Sequence, residues 1–225
     1  MDWKQINNSL NLIQSYYRFL YLWLFLEDII KENDISQFAK DVNIKTWENT
    51  SFKLKQQTIQ SLLKEIYNNP DKQNIFWYFT QLTMFRWISA TMKELVEEEN
   101  NFKSFLQSSL KSKYFDFEQI IRFIRNILSH NIDTNIIIKQ QDYASQKIYL
   151  LSRWKHIVNF NFRYKKIFWQ YWTWDPKYWI NMKINFKKIS HNDKFFNIIS
   201  LHDLFLLSEL CYNLVQIYKH KKKKA

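Results

Sequence analysis

The sequence predicts a mainly α fold: a helical bundle with an N-terminal helical extension and a β-hairpin inserted before the last helix. Two observations carry this. Through the first half of the 225 residues, apolar side chains recur every three or four positions, the repeat of one helix face. Late in the chain the period falls to two. There Ile180, Met182, Ile184 and Phe186 alternate with Asn181, Lys183, Asn185 and Lys187, as a half-buried strand requires.

The first helix is expected over 3–30, running out at Lys31-Glu32-Asn33-Asp34. A short helix over 35–42 and another over 52–67 follow. The latter is closed by Asn68-Asn69-Pro70-Asp71, the clearest breaker in the chain. Asp71 is then the expected N-cap of a long helix carrying Ile75, Phe76, Phe79, Leu82, Thr83 and Arg86 on through Glu94. Glu97-Glu98-Glu99-Asn100-Asn101 breaks the pattern before two more helices, 102–110 and 116–129. In the second of these Phe117, Ile120, Ile121, Ile124, Ile127 and Leu128 make an apolar stripe, while Glu118, Arg122, Arg125 and Ser129 share a polar face. A helix over 142–154 precedes the hairpin at about 160–190, in which 162–171 pairs with the alternating strand across a turn at Trp174-Asp175-Pro176-Lys177. The last helix spans 201–218, and Lys219 to Lys224 reads as a disordered basic tail. The expected division is an extension over 1–70, a core over 71–219 and a tail over 220–225. No internal repeat is visible.

Composition narrows the chemistry. With 46% hydrophobic residues the chain can build a core. The count of Gly 0 excludes a Gly-rich phosphate loop, a dinucleotide fingerprint and a nucleophile elbow, all of which need backbone free of a Cβ. Helices must also end without a C′ glycine, with Asn as the natural substitute. The single Cys211 rules out an intrachain disulfide and a cysteine-rich zinc site; it lies in an apolar helical pattern and reads as core. The isolated histidines His156, His191 and His202 show no metal-ligand spacing, so neither metal nor cofactor is expected. His202-Asp203 near a helix start suits a cap. The apolar run over 19–26 is too short to span a membrane, and with no signal-peptide pattern a cytoplasmic protein is expected. A net charge of +12 favours polyanions, nucleic acid above all, with an anionic membrane surface as the other option. Lysines mixed with Trp, Tyr and Phe across 153–188 either stack bases and hold phosphates or mark a partly buried sheet.

The most informative stretch is Arg125-Asn126-Ile127-Leu128-Ser129-His130. Arginine offers phosphate a bidentate fork, and histidine exchanges protons near neutral pH. On one continuous helix the two residues stand about 140° apart around the axis and ~7.5 Å along it. Sharing a substrate therefore needs a helix end near Ser129, where His130-Asn131-Ile132-Asp133-Thr134-Asn135 turns polar, or a second subunit. Glu118 and Arg122 are spaced for a surface ion pair.

Arg125, Asn126 and His130 at a helix end resemble the signature of the HEPN superfamily: an arginine, commonly followed by Asn, Asp or His, then a histidine after four to six intervening residues. The likeness, closest to abortive-infection-type or uncharacterised prokaryotic members, covers about 74–130 plus the last helix. It implies a HEPN-like helical bundle and a homodimer that brings two motif copies into one cleft. It also implies metal-independent RNA cleavage by 2′-OH attack, leaving 2′,3′-cyclic phosphate ends, as in toxins and antiphage-defence effectors. His130 would be base or acid, Arg125 would hold the scissile phosphate and Asn126 would orient one of them. Arg122, Ser129, Glu118 and Asn131 would line the substrate. An antitoxin or defence-system partner is implied too. The tyrosine that antitoxin-paired members carry two residues after the histidine is here Ile132, so neutralisation by its adenylylation is not expected. The alternative is a non-catalytic HEPN module that binds RNA or a nucleotide, or serves dimerisation. A basic helical interaction protein with a chance motif is the third reading.

Overall fold

The computed structural model describes residues 3–32, 39–45, 51–131, 135–165 and 177–224, and the fold is mainly α with two small antiparallel hairpins. The helices are α1 (Trp3–Glu32), α2 (Gln56–Tyr67), α3 (Pro70–Glu98), α4 (Asn100–Leu110), α5 (Tyr114–His130), α6 (Gln140–Ser152) and α7 (Leu201–Lys224). The strands are β1 (Val42–Lys45) with β2 (Ser51–Leu54), and β3 (Ile157–Lys165) with β4 (Lys177–Asn185). The chain divides into two compact units, Met1–Phe19 with Leu82–Ala225, and Leu20–Gln81. The boundary read from the sequence at 70/71 falls inside the second unit, at the start of α3.

In the larger unit α5 is the central element. Its apolar stripe is buried throughout, with Phe117, Ile120, Ile127 and Leu128 fully so. Phe123 joins them, and its ring meets Phe186 edge-on at 5.4 Å. Phe117 packs on Phe160 of β3 at 5.6 Å, so one face of the β3–β4 hairpin closes over α5. Gln146 of α6 donates to the Gln119 carbonyl (2.8 Å) and side-chain oxygen (3.0 Å) of α5, a buried link between the two helices. From α7, Tyr218 contacts Phe102 and Phe105 of α4, and Tyr212 lies 4.7 Å from Tyr17 of α1. Truncating a fully buried ring such as Phe117 is expected to cost about 3–5 kcal/mol, since transfer and cavity terms add.

In the smaller unit three expectations need correction. Residues 35–38 of the helix read at 35–42 lie outside the described residues, and Val42 opens a strand instead. The helix expected from 52 starts at Gln56, because 51–54 pairs with β1 in the register Asn43↔Lys53. The cause is local. The Asp41 carboxylate accepts the Gln56 N–H (2.7 Å) and pairs with Lys53 (2.5 Å), tying the entry of the hairpin to its exit. These contacts hold the Asp41 carboxyl below its ordinary pKa, the Lys53 hydrogen bond contributing most. α3 opens at Pro70, so Asp71, the expected N-cap, falls inside the helix instead of before it; proline suits a first helical position because its fixed φ and missing N–H cost nothing there.

The later hairpin stands where the alternation placed it, but β3 begins at Ile157, five residues before expectation. The expected stretch 166–171 and the turn up to Pro176 lie outside the described residues. The lysine-rich end is also different from expectation: α7 runs on through Lys224. Lysine is a good helix former and cations suit a helix C-terminus. Lys219 Nζ donates to Asn11 Oδ1 (2.5 Å) and Gln14 Oε1 (3.1 Å) of α1, and Lys221 stands over the Phe105 ring. Helix ends follow the expected asparagine at Asn68 and Asn131, but Lys111 takes φ 51° after α4, and Trp154 takes φ 55° just after α6. At the start of α7 Asp203 does serve a cap, reciprocally with Ser200: its carboxylate accepts the Ser200 hydroxyl (2.6 Å) and the Ser200 oxygen accepts the Asp203 N–H (3.1 Å). Among the described residues no helix is long and apolar enough to cross a membrane.

Candidate active site

His130 is the last residue of α5, and Asn131 leaves the helix with extended backbone (φ −122°, ψ 123°). The expected helix end is therefore present, one residue after Ser129. It turns the His130 ring toward the first turn of α6, where Nδ1 lies 2.7 Å from Asp142 Oδ1. Asp142 is fully buried, whereas the His130 side chain is 40% exposed. A carboxylate only accepts, so the bond requires a proton on Nδ1, and Nε2 is the ring nitrogen that Asp142 does not engage.

The Asp142 carboxylate is itself held from three sides. Besides His130 it accepts the Lys139 N–H (2.8 Å), as an acidic residue in the first turn of a helix does, and the Asn131 amide N–H (3.4 Å). The same Asn131 amide donates to the Ile127 carbonyl (2.7 Å), and the Asn131 carbonyl accepts from Arg86 Nη2 of α3 (2.6 Å). Arg86 thus sets a cation at the C-terminus of α5, where the helix dipole favours one. Partial burial moves the Arg86 guanidinium below its ordinary pKa, though an arginine remains charged at neutral pH. The result is one linked cluster, Arg86–Asn131–Asp142–His130, drawn from α3, α5 and α6.

Arg125 is placed differently. It is half-buried, and its Nη1 donates to the neutral Asn126 Oδ1 at 3.2 Å. Since α5 is helical through His130, Arg125 and His130 keep their five-residue separation, about 140° around the axis. Within one chain they are not brought together. Arg122 Nη2 lies 3.8 Å from Glu97 Oε1 of α3, rather than completing the expected pair with Glu118. Glu118 is half-exposed, and its charge contributes to raising the pKa of Tyr114. Ser129 is exposed; Asn131 is buried and its amide is engaged within the cluster.

Asp142 and Arg86 were missed as site residues. Asp142 read only as a helix start, which it also is, and Arg86 only as one residue of a long helix. Nothing in the spacing links either to His130, because the juxtaposition depends on tertiary packing: of α6 on the end of α5 for Asp142, and of α3 on it for Arg86. Among the described residues no group of three or more His, Cys, Asp or Glu is arranged to hold a metal ion.

Comparison with family models, with curated proteins and with solved structures returns no match for this chain.

Proposed function

We propose that this protein is a metal-independent endoribonuclease of HEPN type, a toxin or antiphage-defence effector that works as a homodimer in the cytoplasm. The observation that carries the reading is the pairing of exposed His130 with buried Asp142 at the end of α5, 2.7 Å apart. A histidine whose Nδ1 is engaged by a buried carboxylate has a fixed ring and a basic Nε2, the form that general acid–base work requires. Arg125, whose hydrogen bond among the described residues is to the neutral amide oxygen of Asn126, keeps its positive charge for a phosphate.

In the proposed reaction neutral His130 takes the proton of a ribose 2′-OH at Nε2. The 2′-oxygen attacks phosphorus, the bond from phosphorus to the 5′-oxygen breaks, and that oxygen receives a proton. The products are a 2′,3′-cyclic phosphate and a 5′-OH. A two-fold axis near α5 supplies the missing proximity: it sets the Arg125 of one protomer beside the His130 of the other, and a second, protonated His130 gives the leaving group its proton. Arg125 neutralises charge as it builds on the pentacoordinate phosphorus.

One observation favours a second reading. The 140° between Arg125 and His130 on α5 leaves the pair apart in a single chain, as suits a non-catalytic HEPN module that binds RNA or a nucleotide, or only dimerises. The deciding experiment incubates wild type, His130→Ala and Arg125→Ala with labelled single-stranded RNA and tRNA in EDTA, with the oligomeric state measured by light scattering. Cleavage by the wild-type dimer with cyclic phosphate ends, reduced about 10²-fold or more in both variants, is the expected result. RNA binding and dimerisation without cleavage would favour the second reading. A wild-type monomer, or equal cleavage by all three proteins, would sink the composite site.

A further inference from the structure

The β3–β4 hairpin has two faces of opposite character. Val158, Phe160, Ile180, Met182 and Ile184 are buried on the inner one. The outer one displays the pairs Asn159↔Lys183, Asn161↔Asn181 and Arg163↔Trp179, all six residues exposed. That outer strip holds two cations, three amides and an indole, and none of its six side chains is acidic. Among the described residues of the two strands, alternation separates the side chains: the aliphatic and Phe side chains go inward, and the cations, amides and one indole go outward.

The indole is held in position. Trp179 Nε1 donates to Asn161 Oδ1 across the strands (2.7 Å), and the Arg163 guanidinium stands 5.0 Å from the ring centre. Trp179 is nonetheless 51% exposed. A ring fixed by its polar edge, with area still open, loses little entropy when a base stacks on it. Arg163 and Lys183 lie four ladder positions apart, about 14 Å along the strip, with the Asn161–Asn181 pair between them. At the Lys183 end the strip opens into a cavity of about 320 Å³ lined by Lys183, Asn185, Lys188 and Asn197, with Asp193 also in its wall. The Asp193 carboxylate is turned to local work, accepting the Ser190 N–H at 2.8 Å. A volume in this range suits one nucleotide-sized group.

We propose that the outer face of the β3–β4 hairpin, continuing into this cavity, binds single-stranded RNA. Trp179 stacks on a base, Arg163 and Lys183 hold successive stretches of backbone, the Asn159–Asn161–Asn181 amides meet base edges, and the cavity takes a terminal nucleotide between Lys183 and Lys188. Charge complementarity selects a polyanion. Among the described residues of the strip the one aromatic is surrounded by amides, which favours a nucleic acid strand over a lipid surface, since the latter needs contiguous apolar area. Unpaired bases are required because a duplex offers no free face to the indole. The proposal shares its ligand class with the nuclease reading but needs neither a cutting histidine nor a dimer.

The test is fluorescence anisotropy of a labelled 12-nucleotide single-stranded RNA against His130→Ala protein, so that binding is read without cleavage. Trp179→Ala and the double variant Arg163→Ala/Lys183→Ala, each in that background, are expected to weaken binding about tenfold, the double variant also flattening the salt dependence. The charge-matched control Lys4→Ala/Lys64→Ala is expected to stay within about twofold of the parent. Photocrosslinking with 4-thiouridine RNA, mapped by mass spectrometry, should place the contact in β4 without any substitution. Three results would overturn the proposal: equal loss in the control, equal affinity for a duplex of the same length, or sedimentation with anionic phosphatidylglycerol vesicles in place of RNA binding. Because binding is scored apart from cleavage, its failure and that of the nuclease reading are told apart.

Discussion

The residue that the proposed chemistry leans on most is one that never touches RNA. Asp142 holds Nδ1 of His130 at 2.7 Å, and in the same position accepts the Lys139 N–H at 2.8 Å. Replacing it by Asn keeps volume and leaves an amide oxygen able to accept from one donor, but the carboxylate is gone and the second atom becomes a donor. Asp142→Asn is therefore expected to lower RNA cleavage about 10–100-fold, in line with the loss of an orienting partner elsewhere. A merely structural role would show as a fall in stability alone. The distinguishing readout is the His130 tautomer from ¹⁵N side-chain NMR: Nδ1-protonated in wild type, mixed in the variant. An unchanged tautomer with unchanged cleavage would remove Asp142 from the site. Sequence alone did not reach this pair. Arg125, Asn126 and His130 stood out because their types and spacing match a chemical task, whereas a carboxylate near a helix start has an ordinary capping role that hides any other.

At the scale of elements, legibility followed length and period. α1, α5 and the strand at 177–185 were readable because many successive residues vote for one period. The β1–β2 hairpin was not, since four-residue strands offer only two alternations each, and what fixes them is Asp41 reaching Lys53 and Gln56 across the hairpin. The lysine run of α7 was misread for a different reason: a charge block looks solvated, yet Lys219 finds Asn11 and Gln14 only once α1 lies beside it. Helix ends carry the cost of a chain with Gly 0. Lys111, between α4 and α5, sits at φ 51° and ψ −126°, a region in which a Cβ is crowded and which glycine occupies freely. Lys111→Gly is accordingly expected to stabilise the protein by about 1 kcal/mol, seen as a rise of roughly 2–4 °C in Tm. A fall in Tm would mean that the strain at this turn is smaller than the unfolded-state entropy that glycine adds.

For the molecule as a whole, buried acids whose pKa burial raises weaken the fold toward alkaline pH. Burial pushes Tyr114 up to about 12, the charge of Glu118 adding to it. Burial also raises Tyr218, with Glu99 contributing, and raises the Cys211 thiol. Each group is neutral when folded and ionises sooner once unfolded. Between its ordinary and its raised pKa the folded chain holds the extra proton, so stability falls as pH climbs through that window. The contribution is complete below about pH 9 and drains away from there to pH 12, with Tyr114 alone accounting for roughly 2 kcal/mol by the top of the range. Lysine neutralisation works the other way, easing the self-repulsion of a +12 chain, so the net curve does not isolate the tyrosine. A single substitution does. The Tyr114 hydroxyl is buried and no hydrogen bond reaches it among the described residues, so Tyr114→Phe removes an unsatisfied polar group along with the titration. Urea midpoints at pH 7.5 and 10.5 give the check. The variant is expected to match or exceed wild type at pH 7.5 and to lose less on going to pH 10.5. Loss of stability at pH 7.5 would mean that the hydroxyl has a bonding partner in solution. Equal alkaline loss in both proteins would assign the weakening to Tyr218 and Cys211, on the α7 side of the core, instead of to the start of α5.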